Sequence, residues 1–455
     1  MARRLVVIGG GPAGHEAATY AARYGAEVTL VERDLVGGSA HLRDCVPSKT
    51  MIASGGALNF ARRVAGMGLH VVDPQIDREG LRERIEAIER KLEASVRTLL
   101  DSQGVRIIDG VGRLKDPHTV VAESVAEGVV EVPADVVVLA TGSRPRVPEW
   151  AAIDGDRVLT TRDAYPSPEI PEHLVVVGSG VTGVEFVHMF TSLGSRVTLI
   201  VSRQQVLPGH DPEAAAVLEQ NFLDRGVALF KGARATHIAR DGGSVRVECN
   251  DGRVAVGSHA LLAIGSIPNS DQLGLADVGV EVDDAGYVTV DHNLKSSVPH
   301  IYAAGDLSGK LPLSSVAAMQ GRKIAEHAMG LHVDRPHRHL DYEKAASAIF
   351  TEPEIADVGL AEVDAFATGR KIRVTKVPFS FNAKALINDD PRGFVKIVSD
   401  PATGVVLGGS IVGRHAAELI SVIALAVTAG LKVTDVDEAL FVYPTLSEAL
   451  ADAAE

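Results

Sequence analysis

The chain has 455 residues, 46% hydrophobic and 23% charged, with 45 Lys plus Arg against 59 Asp plus Glu and a net charge of −14. That acidic balance, with only 4% aromatic residues, excludes a nucleic-acid binder, which needs clustered cations and stacking rings. Two cysteines, Cys45 and Cys249, exclude a disulfide scaffold and a four-thiolate zinc centre, and no metal is expected. At roughly 150 residues per domain, about three domains are expected. The uncharged apolar run at residues 419–431 spans 13 residues, short of the ~20 that cross a bilayer, so no transmembrane segment is expected. The N-terminus, MARRLVVIGGG, leads into a strand with no apolar leader, and a cytoplasmic protein is expected.

Residues 5–32, LVVIGGGPAGHEAATYAARYGAEVTLVE, predict a buried strand, a glycine turn, a helix and a second strand. Gly9, Gly11 and Gly14 form G-x-G-x-x-G. The first glycine makes the turn, the second admits a pyrophosphate and the third lets helix and strand approach. Pro12 and Ala13 open the helix, whose N–H groups and dipole favour negative charge. Glu32 lies 23 residues after Gly9, placed to accept a hydrogen bond from an adenosine ribose hydroxyl. Residues 78–100 set Leu81, Ile85, Ile88, Leu92, Val96 and Leu99 at helical spacing, predicting an amphipathic helix that packs on its own domain.

Residues 174–201, LVVVGSGVTGVEFVHMFTSLGSRVTLIV, repeat the first unit at an offset of 169. Gly178, Gly180 and Gly183 repeat the turn, and Val181 and Thr182 open the second helix. Two copies imply two dinucleotides. At the position equivalent to Glu32 stands Val201, followed by Ser202 and Arg203. With no carboxylate there, a 2′-phosphate is not repelled and Arg203 is placed to pair with it, so this copy leans to NADPH over NADH. His327, His332, His337 and His339 crowd a segment with Arg335 and Arg338. Their spacing matches no metal knuckle and reads as a solvated linker.

Between the copies lies Val36-Gly37-Gly38-Ser39-Ala40-His41-Leu42-Arg43-Asp44-Cys45-Val46-Pro47-Ser48-Lys49. Together with both glycine loops, this stretch resembles the FAD-dependent pyridine nucleotide–disulfide oxidoreductases, the group containing dihydrolipoamide dehydrogenase and glutathione reductase. The resemblance covers nearly the whole chain. It implies an α/β fold of two Rossmann-like dinucleotide-binding domains plus a C-terminal α+β dimerisation domain. Residues 1–149 and 271–340 would bind FAD, 150–270 NAD(P)H, and 341–455 would form the interface of a homodimer. Ala140-Thr141-Gly142 and Ala263-Ile264-Gly265 are similar to the loops leaving each nucleotide domain, and Ile301-Tyr302-Ala303-Ala304-Gly305-Asp306 to the second flavin motif, whose Asp306 would contact the ribitol. Phe350-Thr351-Glu352-Pro353-Glu354 and Pro444-Thr445-Leu446-Ser447-Glu448 are similar to the dimerisation domain, whose last motif would complete the partner's active site. Lys49 would approach flavin N5 and Glu185 would pair with it.

Two departures redirect the expected chemistry. Cys45 matches the lower redox cysteine, but the upper one is replaced by Ala40, and thiol–disulfide exchange needs both. Tyr443 stands where disulfide-reducing members carry a His base, and a phenol near pKa ~10 is a poor base at neutral pH. Glu448, which would orient that His, remains. The chain thus resembles a branch without the redox disulfide, similar to NAD(P)H quinone reductases. Hydride would pass from NADPH or NADH to non-covalent FAD and on to a quinone or another small acceptor. A soluble pyridine nucleotide transhydrogenase, and a non-catalytic flavoprotein subunit or NAD(P)H sensor, stand as alternatives.

Overall fold

The computed structural model describes residues 2–70, 73–165, 169–331 and 339–455. The chain divides into two compact units. The first comprises Met1–Ser48, Glu79–Arg146 and Gly265–Tyr342, and the second Lys49–Arg78, Val147–Ile264 and Glu343–Glu455.

In the first unit the β-branched run Arg4–Ile8 is buried along all but its first residue, as a strand covered on both faces must be. It forms the centre of a sheet in the order Ile301–Ala303, Val136–Leu139, Arg4–Ile8, Glu27–Glu32, Arg106–Asp116, all parallel. Arg106–Asp116 then continues into an antiparallel meander with Thr119–Ser124 and Gly128–Pro133. The helix Pro12–Arg23 begins with proline, whose fixed φ suits a first turn, and is rich in alanine. Its small residues Ala13, Ala17, Ala18 and Ala21 are buried with Ile324, Ala325 and Ala328 of the helix Ser314–Ala328. The two helices touch so closely that a side chain at Gly321 would overlap the Ala13 carbonyl oxygen. The amphipathic stretch forms the helix Arg78–Ser102, with Ile85 and Leu100 fully buried and Val96 packed on the same core.

The second unit contains the repeat. Its parallel sheet runs Ala228–Lys231, Arg196–Val201, His173–Val177, His259–Leu262, Val158–Thr160, beside an antiparallel sheet of Ala235–Asp241, Ser244–Cys249 and Val254–Gly257. Its C-terminal part is an antiparallel sheet in the order Ser347–Ile349, Glu354–Gly359, Val406–Gly413, Phe394–Ser399, Arg373–Pro378. The helix Ala416–Ala429 covers that sheet, burying Ile420 and Ile423. The apolar run at 419–431 is therefore mostly a core helix. Among the described residues no helix is long and apolar enough to cross a membrane.

Of the clustered histidines, His327 hydrogen-bonds Tyr302 Oη at 2.9 Å and His339 meets the His292 ring edge-on at 4.5 Å. His332, Arg335, His337 and Arg338 lie outside the described residues. Asp211, Glu213 and Glu362 bring carboxylate oxygens within 4.8 Å of one another. Lys396 Nζ sits among them at 2.6, 2.6 and 2.8 Å and Lys376 Nζ pairs with Glu213 at 2.5 Å, so ammonium groups already occupy this cluster.

Candidate active site

The two glycine loops have the same internal logic. Gly9 has φ +103°, a left-handed conformation costly for any other residue, and a side chain there would overlap the Ala140 carbonyl oxygen. A side chain at Gly14 would overlap the Gly9 carbonyl oxygen. Gly11 differs: its backbone is extended, and an added Cβ would meet only Gly38 Cα at 3.8 Å. In the second loop Gly178, at φ +111°, and Gly183 are closed off by the carbonyls of Ala263 and Gly178, whereas a Cβ on Gly180 would find nothing within 4 Å. Neither helix N-terminus has a side-chain cap, so the first-turn N–H groups that follow Gly11 and Gly180 are unclaimed by capping side chains. Space over the second glycine and uncapped N–H groups fit a pyrophosphate. Val181 and Thr182 are exposed at the mouth of the second loop, while Ala13 is buried behind the first.

Glu32 closes the first loop from the side. It is buried, with Gly10 N donating to Oε2 at 2.6 Å and Asp34 N to Oε1 at 2.7 Å. Burial raises its pKa above the ordinary carboxylate value, and these amide donors offset part of that rise. The carboxylate thus splints the loop and keeps lone pairs for a hydroxyl donor. Asp306 Oδ2 accepts from Ser143 Oγ at 2.6 Å, and its neighbour Gly305 N donates to Gln320 Oε1 at 2.7 Å. Thr141 and Gly142 are fixed by Asn269: Thr141 Oγ1 donates to Asn269 O and Asn269 N to Gly142 O, both at 2.9 Å. Gly265, at φ +96°, accepts the Arg146 amide at 2.9 Å as the chain crosses back. In the second unit Val201 is fully buried, and Ser202 and Arg203 are exposed beyond the end of their strand.

Lys49 and Glu185 meet. Lys49 Nζ donates to Glu185 Oε2 at 2.6 Å, and the Phe350 amide donates to Oε1 at 2.9 Å. The Glu185 side chain is 8% exposed and that of Lys49 29%, with the ammonium 4.8 Å from the Phe350 ring centroid. Both carboxylate oxygens are therefore occupied, and the ring adds a cation–π contact. The helices Val46–Arg63 and Val181–Ser192 carry this pair, and they approach closely because residue 55 is glycine. A Cβ there would lie 2.8 Å from Ser192 Cβ. Further along, Asn59 Nδ2 donates to Ser192 Oγ at 2.9 Å and to Glu352 Oε2 at 3.1 Å, while Arg63 and Arg392 pair with Glu352. Asn59 and Gly55 were not legible in the sequence, and Phe350 and Glu352 were marked only as part of a dimerisation-domain motif, not as supports of this pair. These contacts act across separations of 133 to 293 residues, and no local pattern marks the pairing.

Ala40–Cys45 forms one wide π-type turn, with the Val46 amide bonded to the His41 carbonyl, and Ser48 Oγ donates to the Cys45 carbonyl at 2.9 Å. Cys249 ends a strand of the other unit, buried, its thiol pKa raised first by that burial. Tyr443 is 74% exposed beside fully exposed Leu440. Glu448 Oε2 accepts the Thr445 amide at 2.9 Å, so this carboxylate fixes the turn that presents Tyr443.

Comparison with known proteins accords with this architecture. Residues 3–321 match the model of the pyridine nucleotide-disulphide oxidoreductases, and residues 345–454 match that family's dimerisation domain. The chain is 44% identical to an NAD(P)H dehydrogenase (quinone) of Mycobacterium tuberculosis, over all of this chain and 94% of that one. It is 35% identical to a dihydrolipoyl dehydrogenase of Haloferax volcanii, over 99% and 95% of the two. Among solved structures, LpdA of Mycobacterium tuberculosis superposes with a TM-score of 0.94 at 42% identity, covering 99% of each chain. The flavoprotein disulfide reductase RclA of Escherichia coli reaches 0.89 at 25% identity, again over 99% of each. The α/β nucleotide-binding sheets, the paired glycine loops and the C-terminal dimerisation domain thus have one explanation: the chain belongs to the pyridine nucleotide-disulphide oxidoreductase family, enzymes that bind FAD and use NAD(P)H.

Proposed function

We propose that this enzyme is an NAD(P)H:quinone oxidoreductase that passes electrons to its acceptor without a dithiol relay. The observation that carries the reading is the Lys49–Glu185 pair, intact in a chain whose 40–45 turn holds a single cysteine. Residues 1–149 and 271–340 hold FAD, 150–270 hold the nicotinamide nucleotide, and 341–455 join two copies into a homodimer. Non-covalently bound FAD would supply the two-electron carrier between nicotinamide and acceptor. Gly9, Gly11, Gly14 and the N-terminus of the helix Pro12–Arg23 seat its pyrophosphate; Glu32 and Asp306 take ribose and ribitol hydroxyls. Gly178, Gly180 and Gly183 do the same for NADPH or NADH, with Arg203 favouring the 2′-phosphate. Lys49, held in place by Glu185, would offer a cation to the flavin when FAD is bound. With Ala40 in place of a resolving thiol, the wide turn leaves room for a flat acceptor. Tyr443, exposed on one copy, donates a hydrogen bond to the oxyanion that develops on a quinone bound by the other.

The relative named NAD(P)H dehydrogenase (quinone) supports this acceptor class. Steady-state assays with NADPH and, in turn, menadione, lipoamide and thio-NAD test it. Menadione should turn over and lipoamide should not. Lipoamide reduction would restore a dithiol mechanism, and thio-NAD as the sole acceptor would make the enzyme a transhydrogenase.

A further inference from the structure

Within residues 147–264 most of the cations that reach the surface, wholly or in part, have a carboxylate partner. Arg157 pairs with Glu169, Arg196 with Glu172, Lys231 with Glu219, Arg240 with Asp154 and Asp156, Arg246 with Glu248, and Arg253 with Asp251. Arg225 is part-buried against His188 and Ser192. Among the described residues of this stretch, Arg203 and Arg234 are the exposed arginines for which no carboxylate lies within ion-pair distance.

The backbone brings these two to one place. Arg203 lies two residues beyond the strand Arg196–Val201, and Arg234 three residues beyond its parallel neighbour Ala228–Lys231. Gly232, at φ +73°, turns the chain back, so that its amide donates to the Arg203 carbonyl at 2.9 Å and the Ala233 amide donates to the Val201 carbonyl at 3.1 Å. Arg234 is then pinned by Asn250, whose Oδ1 accepts the Arg234 amide and whose amide donates to the Arg234 carbonyl, both at 2.9 Å. Both arginines thus stand at the carboxyl end of the parallel sheet. The Gly178–Gly183 loop leaves the strand His173–Val177 at the same end, where open α/β sheets take their ligands.

We propose that Arg234 is a second specificity-determining residue for NADPH, forming with Arg203 a two-cation clamp on the adenosine 2′-phosphate. The inference rests on the NADPH reading given above and extends it to a residue on a different strand. A phosphate monoester carries about −1.5 to −2 at neutral pH, so one guanidinium leaves charge uncompensated and two match it. Val201 places no carboxylate at the ribose position to oppose that charge, and Lys231, the nearest other cation in sequence, is held by Glu219 at 2.8 Å.

The test is calorimetric titration of the FAD-loaded dimer with adenosine 2′,5′-bisphosphate and with 5′-AMP, alongside KM for NADPH and NADH. Arg203→Gln and Arg234→Gln should each weaken bisphosphate binding about ten- to a hundred-fold, the span of a charge-assisted hydrogen bond, and leave 5′-AMP unchanged. KM for NADPH should rise while KM for NADH stays put, and Arg234→Lys should recover part of the loss. If Arg234→Gln binds the bisphosphate like the parent while Arg203→Gln does not, the clamp is wrong and the NADPH reading stands. A parent that binds both nucleotides equally overturns the NADPH reading together with the clamp. Equal weakening of both nucleotides by Arg234→Gln assigns Arg234 to the adenosine site generally and also overturns the proposal.

Discussion

His188 is a base that the fold keeps from acting as one. It lies on the same helix as Glu185, is 2% exposed, and accepts from Arg225 at 3.0 Å through Nδ1. Burial first, and then the Arg225 charge, push its pKa down to about 3 from an ordinary value near 6.5. The unfolded chain therefore takes up a proton that the folded chain refuses. The associated stability is fully present above about pH 6.5 and drains away as pH falls toward 3, at ~1.4 kcal/mol per pH unit. His188→Gln keeps an acceptor for Arg225 without titrating, so urea unfolding at pH 7 and pH 5 should show a flatter profile than the parent; parallel profiles would remove His188 as the cause. Tyr443 is the opposite case, a side chain left outside. If its hydroxyl serves the acceptor, Tyr443→Phe lowers quinone turnover in steady state while stopped-flow reduction by NADPH is unchanged. The loss should be of the order of 10²-fold, the effect of removing one oxyanion donor. Unchanged turnover would take Tyr443 out of the mechanism.

At the scale of the strand–loop–helix element, three glycines in one motif have different reasons to be glycine, and the reasons are separable. A methyl at Gly183 overlaps the Gly178 carbonyl oxygen, so Gly183→Ala should lower the melting temperature by forcing helix and strand apart. Gly180 has an extended backbone and open space around it, so Gly180→Ala should fold as well as the parent yet raise KM for NADPH, because the methyl fills the phosphate's approach. Thermal melts and kinetics on the two variants check this; a destabilised Gly180→Ala, or one with unaltered KM, would contradict it. This element was the most legible part of the sequence, because strand, turn and helix are consecutive and each glycine's role depends on neighbours within a few residues. The Lys49–Glu185 pair, 136 residues apart, was legible only through family resemblance. The Phe350 amide, Gly55 and the Asn59–Glu352 contact that support it were not legible at all, since backbone donors and close helix crossings leave no residue-type signal.

For the whole molecule, two nucleotide-binding sheets, each with a parallel core, and a C-terminal antiparallel sheet follow from the repeat and the motifs that the chain shares with its family. What the sequence concealed was how the segments divide. Residues 49–78, lying between two stretches of the first unit, cluster with the second, so the helix carrying Lys49 starts in one unit and continues in the other. Phe381, Leu440, Val442 and Tyr443 are exposed on the C-terminal part, which matches the family's dimerisation domain. In the proposed mechanism electrons reach the acceptor without any thiol, and Cys45 is the one cysteine of the 40–45 turn. The most direct measurement is the NADPH–menadione turnover of the Cys45→Ser enzyme loaded with FAD. Turnover should be indistinguishable from the parent; collapse to background with FAD still bound and still reduced by NADPH would contradict a thiol-free route.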